Sequence, residues 1–237
     1  MKKTALLLLP FIFAGIFLSG CASIGQIEAP GVNIAGDGIG RMDVAAAVQV
    51  VAIDAGHSNE PGDKHTDPAY DPAMTPEWVL NDRIAARVEK ILEDYDVKVV
   101  RTDDVTGATN VPLDERCRIA NEAGADVFVS IHHNAGGGTG IVVYRHEQAD
   151  DQDTRALQDT VYDALIEKTG NTGNRRTPKD TEDFLVLRKT RMPAVLCEMG
   201  YMDHPVDTPL ILTEEYAEKC AQALAEALVA YGGLEKR

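Results

Sequence analysis

Residues 49–53, Gln-Val-Val-Ala-Ile, form a short apolar run that breaks into Asp54-Ala55-Gly56-His57, the pattern of a buried strand opening into a loop. A polar loop continues through Asp71. Thr75-Pro76-Glu77 then reads as a helix start, with Thr75 as N-cap and Pro76 at the first helical position, where a missing N–H is harmless. Leu80, Ile84, Val88, Ile91 and Tyr95 mark one face of that helix. Further strands are predicted at residues 97–100, 126–131, 140–144, 184–187 and 194–197, and further helices at 112–122, 153–168 and 213–230. Gly124 and Gly232 stop two of these helices. Strands alternating with helices predict a single α/β domain, with a mostly parallel or mixed central sheet of about six strands and helices on both faces. No internal repeat is present.

The N-terminus breaks this alternation. Lys2 and Lys3 precede an apolar stretch over residues 5–18, the layout of a secretory signal. Leu18-Ser19-Gly20-Cys21 resembles the lipobox of bacterial lipoproteins, which implies a signal peptide over residues 1–20 and lipidation of Cys21. An uncleaved membrane anchor is the alternative, although the apolar run is shorter than the roughly 20 residues of a spanning helix. Either way the domain lies outside the cytoplasmic membrane, in the cell envelope. Residues 21–46 contain Pro30, Gly31, Gly36, Gly38 and Gly40 without a sustained period and read as a flexible tether, so the catalytic domain is expected over residues 47–234.

A hydrophobic fraction of 44% and a charged fraction of 26% are those of a globular chain. The formal charge is −15, and removing Lys2 and Lys3 with the signal takes it to −17. Such a surface repels polyanions, and no basic stripe offsets it, so nucleic acid is excluded as a partner. Cys117, Cys197 and Cys220 have no C-x-x-C spacing and read as core filler, with one disulfide among them left open.

In open α/β sheets, sites form beyond the carboxyl ends of the strands. His57 follows the first strand, His132-His133-Asn134 the third and Glu198 the last, while Glu77 stands at a helix start facing the same edge. Two imidazoles and a carboxylate are a usual catalytic zinc set, and a further carboxylate is needed to take and return a proton. Glu198 follows the apolar Val195-Leu196-Cys197, surroundings that raise a carboxyl pKa toward working pH.

Six strings strengthen this reading: Ile53-Asp54-Ala55-Gly56-His57; Glu77 with Asn81; Arg101-Thr102-Asp103-Asp104; Leu113-Asp114-Glu115-Arg116 with Ala120-Asn121; Ser130-Ile131-His132-His133-Asn134-Ala135; and Pro193-Ala194-Val195-Leu196-Cys197-Glu198-Met199-Gly200-Tyr201. In this order they resemble the zinc-dependent N-acetylmuramoyl-L-alanine amidases. The resemblance covers residues 48–231. It implies a peptidoglycan hydrolase that cuts between N-acetylmuramic acid and L-alanine. Its zinc would be held by His57, Glu77 and His132, with Glu198 as the catalytic carboxylate. His133 fills the variable place before Asn134; strand alternation turns it away from His132, and it stays a candidate to line the cleft.

Departures are confined to the surroundings of these positions. Ser58-Asn59 stands where many relatives carry two glycines, Asp203-His204 replaces a common Ser-Asn pair, and His65 and His204 read as surface residues. Glu198 follows His132 by 66 positions, too short an interval for the extra autoinhibitory helix that some envelope amidases insert, which predicts an uninhibited catalytic domain. The expected partners are peptidoglycan and, through the lipid, a membrane, and the expected state is a monomer. A zinc peptidase acting on stem peptides and a non-catalytic wall-binding lipoprotein are the rival readings.

Overall fold

Apolar side chains line most of β1 (Val50–Ala55) and β6 (Ala194–Tyr201) and the first half of β3 (Val127–Asn134), and nearly every residue of the three strands is buried, as befits strands covered on both sides. These three form the centre of a six-stranded sheet with the order β2-β1-β3-β6-β4-β5, where β2 is Lys98–Arg101, β4 Ile141–Arg145 and β5 Lys179–Thr181. The pairings β1–β2, β1–β3, β3–β6 and β4–β5 are parallel, while β4 runs antiparallel to β6. The sheet is therefore mixed. The computed structural model describes residues 48–60, 62, 64–171 and 178–237. The signal segment 1–20, Cys21 and the tether 21–46 lie outside the described residues.

One sheet face carries Val51, Ile53, Val127, Val129, Ile131, Val143, Val195 and Cys197. It packs on α1 (Glu77–Leu92), α3 (Gln152–Thr169) and α6 (Glu214–Gly232) through Leu80, Ile84, Val88, Leu157, Val161, Leu165 and Leu224. The alternate positions Ala52, Phe128, Ala194 and Leu196 face α2 (Leu113–Glu122) and α4 (Leu185–Lys189). Helices thus cover both faces. Cys117, Cys197 and Cys220 are buried and free within these two cores, so no disulfide joins them.

Several boundaries differ from expectation. Residues 184–187 do not form a strand: Phe184 caps α4, and Val186 and Leu187 are buried against α2. A four-residue apolar run carries no period that separates one helical turn from a strand, and packing decides it. The strand that instead completes the set of six is β5, whose Lys-Asp-Thr has no apolar residue and survives as a half-exposed edge. Helix α5 (Asp207–Ile211) was not predicted. Pro76, rather than Thr75, is the N-cap of α1, because the Thr75 hydroxyl is taken by Asp71 at 2.6 Å. Leu92 replaces Ile91 and Tyr95 as the last buried position of the α1 face, and Tyr95 lies beyond the helix. Gly232 is the final residue of α6, and Gly233, at φ 60°, supplies the left-handed cap.

Candidate metal centre

The strand order reverses around β1, which has β2 on one side and β3 on the other, and a cleft opens where the carboxyl ends of β1, β3 and β6 meet. Three chain segments deliver ligating groups there. His57 follows β1 with φ 68°, a left-handed backbone that a non-glycine residue holds only under tertiary constraint. His132 stands near the end of β3. Gly56 is what lets the two histidines approach: a β-carbon on it would fall 2.0 Å from the His132 Cε1. Glu77 opens α1 and is fully buried. Its N–H donates to the Lys64 carbonyl at 2.9 Å, and Asp67 N–H donates to the Met202 carbonyl, also at 2.9 Å, tying the intervening loop to the end of β6. Asp71 knots the same loop by accepting from the hydroxyls of Thr66 and Thr75, and these bonds, led by that of Thr75, lower its pKa to about 2.

His57 Nε2 lies 3.2 Å from Glu77 Oε2, and His132 Nδ1 lies 3.1 Å from Glu77 Oε1. One ligand atom from each of the three residues falls within 4.8 Å of the others. The imidazole rings stand edge to face, with centroids 5.1 Å apart. Glu77 Oε2 accepts no hydrogen bond although it is buried, the condition of an acceptor waiting for a cation. Two imidazole nitrogens and one carboxylate oxygen fit zinc, with a coordination position to spare. Burial works to raise the Glu77 pKa, but His132, His57 and the His133 backbone N–H outweigh it and lower the value to about 2.

Glu198 sits beside His132, since the parallel register pairs the two residues directly. It lines the cleft, is nearly buried, and its Oε2 has no hydrogen-bond partner. Burial raises its pKa to about 7, with Glu77 pushing the same way and His132 and Lys64 pulling it down. The cleft holds about 510 Å³. Leu113, Phe184 and Leu185 give it an apolar wall, and Glu60, Lys64 and Asn110 a polar rim.

His133 does not line the cleft. It is 1% exposed, on the opposite side of β3 from His132, and burial lowers its pKa to about 4. His65 is exposed and His204 half-buried, and neither belongs to the cluster. Sequence reasoning assigned no role to Arg116, which is buried below the cleft. Its Nη1 donates to Asp54 Oδ1 at 2.9 Å and to the Ala55 carbonyl at 2.6 Å, its Nη2 to the His57 carbonyl at 2.9 Å, and its Nε to the Val111 carbonyl at 2.9 Å. Asp54 also accepts from Thr102 and Ser130. Burial raises the Asp54 pKa, and the Arg116 charge with these bonds more than reverses it, so the carboxylate stays ionised. The pair fastens the strand end that carries His57.

Residues 51–230 match the family described as Amidase_3, N-acetylmuramoyl-L-alanine amidase. The endolysin of Bacillus phage SPP1 is 31% identical over 194 residues, which cover 80% of this chain and 68% of the relative. LytH of Staphylococcus aureus is 31% identical over 188 residues, covering 77% of this chain and 58% of LytH. Among solved structures, the catalytic domain of CwlV, an N-acetylmuramoyl-L-alanine amidase from Bacillus (Paenibacillus) polymyxa var. colistinus, superposes with a TM-score of 0.68 at 29% identity, covering 79% of this chain and 99% of that domain. The match spans the strands and helices that carry His57, Glu77, His132 and Glu198, and the chain belongs to the N-acetylmuramoyl-L-alanine amidase family as a peptidoglycan amidase.

Proposed function

We propose that the chain hydrolyses the amide between the lactyl group of N-acetylmuramic acid and L-alanine, with zinc held by His57, Glu77 and His132 and with Glu198 moving the protons. The observation that carries this reading is the placement of an unpartnered, buried Glu198 carboxylate beside three converging metal-binding groups. Zinc bound there supplies Lewis acidity and makes a water molecule acidic near neutral pH. Glu198 takes the proton from the attacking water, holds it on a carboxyl whose protonated form burial favours, and delivers it to the departing alanine nitrogen. Free lactyl-glycan and stem peptide result.

The wall of Leu113, Phe184 and Leu185 keeps water from one side of the site, and the polar rim suits a sugar-peptide substrate. A wall-binding protein without catalysis has no use for a carboxylate buried at such cost. A peptidase acting within the stem would use the same metal set, so the products decide. Peptidoglycan digested by the chain is expected to show new alanine N-termini by mass spectrometry, and none when a chelator is present. Cuts inside the stem peptide would favour the peptidase instead.

The protonation of Glu198 also sets a pH dependence. A general base works only when ionised, and its pKa stands at about 7 without a metal. A neighbouring cation favours the ionised form, so kcat/KM of the zinc-loaded chain is expected to rise with pH along a limb whose midpoint lies at or below about 7. A pH–rate profile over buffered peptidoglycan checks this; a midpoint well above 7 would assign the limb to another group.

The catalytic domain is assigned to residues 47–234. Cys21 is proposed as the site of lipidation, which would hold a monomeric enzyme by its lipid in the cell envelope outside the cytoplasmic membrane, in the periplasm or at the cell surface, within reach of peptidoglycan. The short sequence interval from His132 to Glu198 supports activity without a partner.

A further inference from the structure

His133 is a buried imidazole that the proposed chemistry does not use, and its hydrogen bonds can be assigned by elimination. Asn81 Nδ2 faces two groups that only accept, the Gly56 carbonyl at 3.0 Å and Glu77 Oε1 at 3.3 Å. The amide nitrogen must therefore point at them, and Asn81 Oδ1 must be the atom facing His133 Nδ1 at 2.8 Å. An amide oxygen cannot donate, so Nδ1 carries the hydrogen and the imidazole is fixed in one neutral tautomer. Its Nε2, buried and without a partner, is left as an unused acceptor.

The consequence reaches two metal-binding arms. Asn81, fully buried one turn into α1, holds the peptide just before His57 through the Gly56 carbonyl and holds Glu77 through Oε1. The backbone N–H of His133 donates to that same Glu77 oxygen at 3.0 Å. We propose that His133 is a positioning residue: its ring locks the Asn81 amide, which fixes the Glu77 carboxylate and the Gly56–His57 peptide as ligand supports. Groups that orient metal ligands in this way commonly change metal affinity 10–100-fold when lost. The inference rests on the reading of His57, Glu77 and His132 as a zinc site.

Zinc affinity of the purified chain, measured by competition with a chelating dye, tests it alongside the melting temperature of the metal-free protein. His133→Phe keeps a buried ring and removes the donor, and zinc binding is expected to weaken about 10–100-fold. His133→Asn places an amide N–H where Nδ1 stood and is expected to stay within about threefold of native. Asn81→Asp, which sets a carboxylate against Glu77 and the Gly56 carbonyl, is expected to weaken binding as His133→Phe does. Val161→Ala, a cavity in the core under α3, should lower the melting temperature and leave zinc affinity alone. Native affinity in His133→Phe, or an equal loss of affinity in Val161→Ala, would overturn the positioning role while leaving the zinc site standing. A native chain that binds no zinc would overturn both.

Discussion

Glu198→Gln is expected to lower kcat by roughly 10²–10⁴-fold while zinc stays bound. The substitution keeps the size of the side chain and removes its ability to take a proton, and it leaves the three proposed zinc ligands in place. It has a second, opposite effect. Burial raises the Glu198 pKa from 4.5 to about 7, so ionisation at alkaline pH costs the metal-free fold stability, and stability is lost as pH rises through that value. Glutamine carries no such charge. The metal-free variant should therefore melt no lower than the native chain at pH 8, a site cost of the kind that enzymes carry for function. Turnover of muropeptides together with thermal melts of both proteins checks the pair of outcomes, and a fully active variant would remove Glu198 from the mechanism.

Arg116→Met should have the largest effect on stability. The guanidinium is 2% exposed, its partner Asp54 is equally buried, and three of its four donated bonds end on Asp54, Ala55 and His57. Removing one partner of a buried ion pair leaves an uncompensated charge, which costs about 3–5 kcal/mol. For a domain of this size that corresponds to a fall of roughly 6–20 °C in melting temperature. The deficit is greatest where Asp54 would be ionised, above its ordinary pKa of 3.8, because the native pair lowers that pKa and its stabilisation disappears only at lower pH. Zinc binding should weaken as well, since the His57 carbonyl loses its donor and the left-handed backbone there loses a constraint. Melting curves of the metal-free variant separate the two effects. A shift of less than about 2 °C would mean that Ser130 and Thr102 alone suffice for Asp54.

The central strands and the convergence of His57, Glu77 and His132 were legible because each leaves a local signature. The apolar run at 49–53 breaks into Asp54-Ala55-Gly56-His57, the strands predicted at 126–131 and 194–197 are followed directly by His132 and Glu198, and a helix-start pattern flags Glu77. What the sequence left unread depends on contacts made far along the chain. Arg116 stood within one of the family-like strings, but nothing local gives it a role, because three of its bonds end on an acid and two carbonyls 59–62 positions away. Strand alternation placed His133 off the His132 side, but its bond to Asn81 joins residues 52 positions apart. The segment at 184–187 had strand-like composition and became a helical turn because α2 offers it an apolar surface, whereas β5 has no composition to announce it and exists by pairing with β4.

Zinc content is the measurement that bears most directly on this account. Elemental analysis of the native chain after dialysis is expected to find one zinc ion per molecule, and His57→Ala, Glu77→Gln and His132→Ala should each lose most of it while remaining folded by circular dichroism. A native chain that hydrolyses peptidoglycan without any bound metal, or folded variants that keep a full zinc ion, would contradict the assignment of these three residues.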